Sequence, residues 1–291
     1  MCWALALVGL TSCARPAEYA DHHLRIVSLS PAITQVLVEI GLADAIVAVG
    51  EGDKIVPRGV PTLGRYRDLD LERLTTLAPS HVFAMTGRAS LPRRVTELGA
   101  SGRFRLADFE YPRDAVAVAK LTREIGEALG RAERTEKIAA EIEHRLRAIG
   151  ELTARRDRPR VLMVFASDPV WASGSGTVID ELLHIAGGAN AAAGAKLTAL
   201  TYDREALRAL APDALVLMKP GDPPLTSSDD PRLDAFRGLD LPAMRKGQFF
   251  LLNDPGVLLP GPSVATTAAS IAVALHPDLA EPIAEIFREQ P

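Results

Sequence analysis

The chain has 291 residues, 47% of them hydrophobic and 24% charged, and a formal net charge of −4. That length holds two domains of ordinary size, each with its own core. The acidic balance argues against nucleic acid as the partner, since phosphate binding needs a basic surface, and no apolar run reaches the ~20 residues of a membrane-spanning helix.

The N-terminus carries a short apolar run, Cys2 to Ser12, that ends Leu10-Thr11-Ser12-Cys13. An aliphatic residue, two small residues and a Cys resemble the lipobox of bacterial lipoprotein signals. The resemblance implies that Cys13 receives a diacylglycerol and becomes the first residue of the mature protein. The run is short, and no Lys or Arg precedes it, unlike the basic start of most signals. Ala, Pro and charged residues follow up to His23, so residues 1–23 are read as signal segment and tether. Processing at Cys13 leaves the mature chain with neither a disulfide framework nor a Cys-based metal site.

The folded part begins with a strand run, Arg25-Ile-Val-Ser-Leu-Ser, then Pro31 and an apolar stretch ending at Ile40-Gly41. Gly is the usual stop after an apolar helix, because it tolerates the left-handed conformation there. Residues 70–85, DLERLTTLAPSHVFAM, have helical spacing up to the Pro and a strand-length apolar run after it. From Pro112 to about Arg156 breakers are nearly absent. Leu121, Ile125 and Leu129 recur at i, i+4, i+8, and after Gly130-Arg131 a second stripe runs through Ile138, Ile142, Leu146 and Ile149. Two consecutive helices are predicted, the second from about Arg131 to Arg155. At about 25 residues it spans roughly 37 Å, a rigid connector rather than a loose hinge.

The opening pattern then recurs. Arg160-Val-Leu-Met-Val-Phe reads as a strand, followed by a Gly/Ser turn and a stretch ending at Ala186-Gly187. Residues 203–218, DREALRALAPDALVLM, repeat residues 70–85. Asp203 stands for Asp70, Glu205 for Glu72, Leu207 for Leu74, Ala211-Pro212 for Ala78-Pro79 and Met218 for Met85. Each half reads strand, helix, strand, helix, strand, which implies α/β layers with a mostly parallel sheet. Two similar lobes create a cleft between them.

These runs together resemble the class III periplasmic substrate-binding proteins of ABC importers, which serve cobalamin, ferric siderophores and haem. The carriers are RIVSLSPAITQVLVEIG at 25–41, LGRYRDLDLERLTTLAPSHVF at 63–83, PVWASGSGTVIDELLHIAGGAN at 169–190 and YDREALRALAPDALVL at 202–217. The resemblance implies two Rossmann-like α/β lobes, 24–130 and 157–291, joined by one long connecting helix, 131–156, with the ligand cleft between them. It also implies that Glu72 and Glu205, one per lobe, dock on Arg residues of the permease dimer. A two-fold transporter presents two equal basic pockets, and matched charges give orientation and association rate. The implied partners are the permease with its ATPase subunits, and a membrane reached through the lipid anchor. The implied location is the periplasm or another extracytoplasmic space, with the protein a monomer.

Open α/β sheets bind ligands at the loops after the strands' C-terminal ends. Those loops are Ser30-Pro31-Ala32, Gly64 to Asp68, Met85 to Arg88, Phe165 to Trp171 and Asn253 to Leu259, the last with Asp254. Tyr66, Phe165 and Trp171 match aromatic positions of the cobalamin-binding members and offer flat apolar surface. Trp171 is read here as a loop residue. Met85 and Ala199 stand where those members often place Trp. Arg65, Arg67 and Arg88 suit the anionic chelates taken by siderophore-binding relatives. Haem-binding relatives have Gly-Tyr-x-Arg where this chain has Gly64-Arg65-Tyr66-Arg67. The expected ligand is a corrinoid, with ferric siderophore and haem as alternatives, and no resident cofactor. The six His residues show no convergence with carboxylates on a metal. No GxGxxG and no Ser/His/Asp constellation of familiar spacing is present, so no enzyme is expected.

Overall fold

The computed structural model describes residues 24–56, 59–65, 67–86, 91–194 and 199–288. Its first half alternates strands and helices: β1 Ile26–Ser28, α1 Pro31–Glu39, β2 Ile46–Val49, α2 Leu71–Thr76, β3 His81–Ala84, α3 Arg93–Ala100 and β4 Arg105–Asp108. The strands form one sheet in the order β2-β1-β3-β4, and every pairing is parallel. All three β1 residues are buried, as in a parallel strand covered on both faces. One face packs Ile26, Ile46 and Phe83 against Ile33, Val36 and Leu37 of α1. The other packs Val27, Ala48 and Val82 against Leu74 of α2 and Val95 of α3.

The second half contains β5 Arg160–Ser167, β6 Val170–Ser173, α6 Val178–Ile185, β7 Ala189–Asn190, β8 Ala199–Tyr202, α7 Arg204–Leu210, β9 Ala214–Met218, α8 Pro242–Arg245, β10 Phe249–Leu252, α9 Val264–Leu275 and α10 Ala280–Arg288. Its sheet runs β10-β9-β5-β6-β8, with β7 also paired to β5. The β10, β9, β5 and β7 pairings are parallel, but β6 is antiparallel to both β5 and β8. The expected strand–helix alternation is therefore interrupted by a β5–β6 hairpin, and Trp171 lies in a strand rather than a loop. Alternate residues of this sheet serve two cores. Val161, Met163, Val216 and Met218 face α6 and α9, whereas Leu162, Val164, Leu215 and Leu217 face Leu207 of α7 and Ala243 of α8. That is the period-two signature of a sheet covered on both sides.

Between the halves lie α4 Ala115–Leu129 and α5 Ala132–Thr153. Gly130, at φ 67°, makes the left-handed stop between them. The predicted stripes are buried at Leu121, Ile125 and Leu129 on α4 and at Ile142, Leu146 and Ile149 on α5, while Ile138 is half-buried. The two helices pack so closely that a Cβ on Gly126 would lie 1.8 Å from Thr135 Oγ1. Arg123 of α4 forms ion pairs with Glu136 and Glu143 of α5 at 2.8 and 2.7 Å. Both helices reach both cores. Ala115 and Val118 of α4 join the second core while Leu121, Ile125 and Leu129 join the first. Ile138 of α5 touches both, and Ile142, Leu146 and Ile149 join the second.

Candidate functional site

The C-terminal ends of the parallel strands of both sheets are bordered by loops of irregular backbone. In the first sheet these are Leu29-Ser30 after β1, Gly50 to Asp53 after β2, Met85-Thr86 after β3 and Phe109 to Tyr111 after β4. In the second they are Lys219 to Asp222 after β9 and Asn253 to Leu259 after β10, beside the β5–β6 hairpin. The two sets meet at α1. A Cβ on Gly261 would lie 2.8 Å from Gln35 Oε1 and 3.3 Å from the Ala32 carbonyl. The Ser263 hydroxyl is shared between the Gly256 carbonyl, at 2.8 Å, and Gln35 Oε1, at 3.1 Å. Pro31 and Ala32, read as loop, are the first turn of α1, where the fixed φ of Pro is accommodated.

Trp171 is the most conspicuous side chain at this edge. Val170 and Ala172 on either side point into the core, so alternation along β6 turns the indole outward. It is 46% exposed. Phe165 of β5 contacts it edge to face, with ring centroids 5.4 Å apart and planes at 70°. Phe165 is half-buried against the second core, so the pair is anchored at one end and open at the other. Covering such an aromatic face is a large favourable term.

The first lobe offers an aromatic that the sequence reading missed. Tyr111 lies three residues past the end of β4 and is 52% exposed. Desolvation raises the pKa of its hydroxyl. Phe109, two residues earlier, packs edge to face on Phe83 at 5.6 Å. Two residues after Tyr111-Pro112, Asp114 caps α4 by accepting from Ala117 N, and the Ala115 N–H donates to Glu181 of α6 at 2.7 Å. Tyr111 thus rides on the segment that crosses from the first sheet to the second lobe.

The remaining candidates divide. Met85 is half-buried and packs on the first core. Arg65 is exposed and pairs with Glu51 at 2.9 Å, which offsets its charge at the loop. Asp254 is exposed, and its Oδ1 accepts from Gly256 N at 2.7 Å, holding the turn that leads to Ser263. Arg67 is exposed. Tyr66, Arg88 and Cys13 lie outside the described residues. A polar network missed by sequence reading underlies the β1 and β2 loops. The buried Thr34 hydroxyl lies 2.6 Å from Asp53 Oδ2 and 2.8 Å from Ser28 Oγ, and Asp53 Oδ1 accepts from Ile55 N. Among the described residues no cluster of three or more His, Cys, Asp or Glu is placed to hold a metal. No described helix is long and apolar enough to cross a membrane.

Glu72 and Glu205 occupy matching places. Each is the second residue of its short helix, each is exposed, and among the described residues neither carboxylate has a hydrogen-bond or ion-pair partner. Leu74 and Leu207 are the one buried side chain of each helix.

The sequence pattern that defines the periplasmic binding proteins matches residues 26–255. The vitamin B12-binding protein of Photorhabdus laumondii is 24% identical over 196 residues, covering 67% of this chain and 70% of that protein. Among solved structures, the periplasmic heme-binding protein RhuT from Roseiflexus sp. RS-1 is similar with a TM-score of 0.71 and 26% identity, over 87% of this chain and 98% of RhuT. The periplasmic vitamin B12-binding protein BtuF of Vibrio cholerae has a TM-score of 0.70 and 20% identity, over 88% and 97% of the two chains. At that identity the likeness is one of fold.

Proposed function

The chain belongs to the periplasmic binding protein family, whose members bind cargo for an ABC permease and its ATPase rather than catalyse reactions, and we propose that it captures a corrinoid between its lobes for import. The observation that carries this reading is the Phe165–Trp171 pair, anchored in the second core and open at the strand ends. A rigid macrocycle presents the broad, flat surface such a pair covers. The vitamin B12-binding relative gives the corrinoid its precedence. In this reading Met85, Tyr66, Asp254, Arg65 and Arg88 line the same cleft, and Tyr111 joins them from the first lobe. Glu72 and Glu205 dock on the permease, one from each of the lobes 24–130 and 157–291, with the connecting helix 131–156 joining the two and α4 of the first lobe packed along it. Cys13 carries the lipid anchor, and the protein acts as a monomer outside the cytoplasm.

Haem is the second reading, favoured by the 26% identity to RhuT and by an aromatic pair that serves either macrocycle. Ferric siderophore binding leans on basic cleft residues, and Arg65 already pairs with Glu51. Titration with cyanocobalamin, haemin and a ferric siderophore, followed by visible absorption, decides among them. Saturable binding of cyanocobalamin in preference to the other two is expected. Preference for haemin or siderophore replaces the ligand, and no binding to any of the three removes the reading. Release from the membrane fraction in Cys13→Ala tests the anchor.

A further inference from the structure

The two helices that carry Glu72 and Glu205 are too short to hold themselves. α2 has six residues and α7 seven, well below the length at which helices persist alone. Each rests on one fully buried leucine, with half-buried Leu71 and Leu77 beside Leu74 and half-buried Leu210 beside Leu207, so the core holds one face while the ends need their own ties. Both are fastened at each end, by the same device. At the N-terminus Asp70 accepts from Arg73 N at 2.9 Å, and Asp203 accepts from Ala206 N at 2.8 Å. At the C-terminus the Arg25 guanidinium donates twice to the Leu77 carbonyl, at 3.0 and 2.7 Å, and Arg160 donates to the Leu210 carbonyl at 3.0 Å.

Each carbonyl belongs to the residue before a left-handed alanine. Ala78 has φ 43° and Ala211 φ 42°, uncommon for a residue with a Cβ, and each precedes a buried Pro. The bent chain leaves that carbonyl without a helical partner, and a cation at a helix C-terminus also suits the macrodipole. Each arginine is in turn fixed to the residue that leads into the strand after its helix. Arg25 N donates to Ser80 Oγ at 2.9 Å and its carbonyl accepts from Ser80 N at 2.8 Å. Arg160 N donates to Asp213 Oδ2 at 3.1 Å and its carbonyl accepts from Asp213 N at 2.7 Å. The side chain differs while the connection is the same in both lobes.

We infer that Arg25 and Arg160 are positioning residues that aim Glu72 and Glu205 at the permease, an inference that rests on the docking reading proposed above. Neither arginine borders the strand C-terminal ends; both stand at the opposite ends, where β1 and β5 begin. Their contribution is to the angle and stiffness of the docking helices, not to ligand capture. A two-fold partner must meet both carboxylates at once, so error in either helix weakens the whole contact.

The test uses the full chain in four forms: wild type, Glu72→Gln/Glu205→Gln, Arg25→Met/Arg160→Met and Arg25→Lys/Arg160→Lys. Each is titrated against the permease–ATPase complex of the same cells held in nanodiscs, and against cyanocobalamin and haemin. Amide exchange is followed over 71–77 and 204–210. The glutamine pair is expected to lose docking. The methionine pair is expected to dock on the order of tenfold more weakly, with faster exchange in both short helices and unchanged ligand affinity. The lysine pair, which still donates to the carbonyls, recovers part of the docking. Wild-type docking by the methionine pair, beside loss in the glutamine pair, overturns the positioning role and leaves the docking reading standing. Wild-type docking by the glutamine pair overturns both. Parallel loss of ligand affinity and docking in a methionine pair that remains folded overturns the inference. If the methionine pair does not fold, Arg25→Met and Arg160→Met are compared singly. Each is expected to quicken exchange in its own helix alone, and equal exchange in both helices overturns the inference.

Discussion

Trp171 combines two properties that rarely coincide in a large aromatic: a fixed edge-to-face contact with Phe165 and nearly half its surface in water. If that surface is the ligand's platform, Trp171→Ala should weaken binding by roughly 1–3 kcal/mol while leaving the folded fraction intact. A macrocycle resting on the indole should also quench its fluorescence. Unchanged affinity in the mutant would keep the function and discard the site. Elsewhere, Glu39 closes α1 opposite α5 and shows what an unhelpful charge does. Its pKa is raised to about 7, chiefly by desolvation and then by Glu141, with Arg145 opposing. Arg145 is itself engaged by Glu141 and stacks 4.5 Å over Phe287. The native chain therefore keeps a proton on Glu39 that the unfolded chain loses near 4.5. Between those values stability falls as pH rises, and the loss is complete above the native pKa. Glu39→Gln should raise Tm at pH 8 and leave it unchanged at pH 4. Solvent reaches Glu39, so a gain of ~1–2 °C is expected; equal shifts at both pH values would contradict the assignment.

At the scale of elements, the α4–α5 pair is set by one glycine. Ala is the better helix former by about 1 kcal/mol, yet a Cβ on Gly126 meets three atoms of buried Thr135 at 1.8 to 2.7 Å. Overpacking of that kind costs ~1–3 kcal/mol and outweighs propensity, so Gly126→Ala should lower the denaturant midpoint. A mutant as stable as wild type would mean that the helices slide apart freely. This pair was legible in the sequence because two long apolar stripes have one periodicity and one Gly stop. The helices α2 and α7 were legible because the same pattern of Asp, Glu, Leu and Ala-Pro occurs twice. The β5–β6 hairpin was not. Strand β6 is four residues between a Pro and a Gly/Ser turn, and its antiparallel pairing depends on β5 and β8, which no local pattern announces. Tyr111 was missed for a related reason. Strand β4 is half-exposed along its length, so it gives no apolar run to mark the loop that follows it. The matching, exposed places of Glu72 and Glu205 were legible from register in the repeat, since exposure alone singles out no carboxylate.

For the whole molecule, the question is how far two lobes joined this way move. A hinge of single-stranded loops concentrates rotation at a few dihedral angles. Here two helices cross together, locked by Gly126 on Thr135 and by Arg123 between Glu136 and Glu143. Each lobe buries part of α4, so rotation would shear Ala115 and Val118 against Leu121 and Ile125 within one rigid helix. Further ties cross elsewhere: Arg134 donates to the Ile40 carbonyl at 3.0 Å, and Gly261 lies against α1 beside the Gln35–Ser263 contact. Close-packed contacts of this kind have few alternative arrangements. Ligand capture should therefore proceed with small lobe rotations and local adjustment of the Tyr111 and Trp171 edges. Small-angle scattering with and without cyanocobalamin or haemin should give nearly superposable curves, and closure by tens of degrees would contradict the rigid connection. The same stiffness bears on delivery. If Glu72 and Glu205 dock as proposed and the lobes hardly move on binding, the spacing of the two hardly changes either, and loaded and empty protein should dock on the permease with similar affinity. A permease that strongly prefers the loaded form would require a ligand-driven change in that spacing, which this connection opposes.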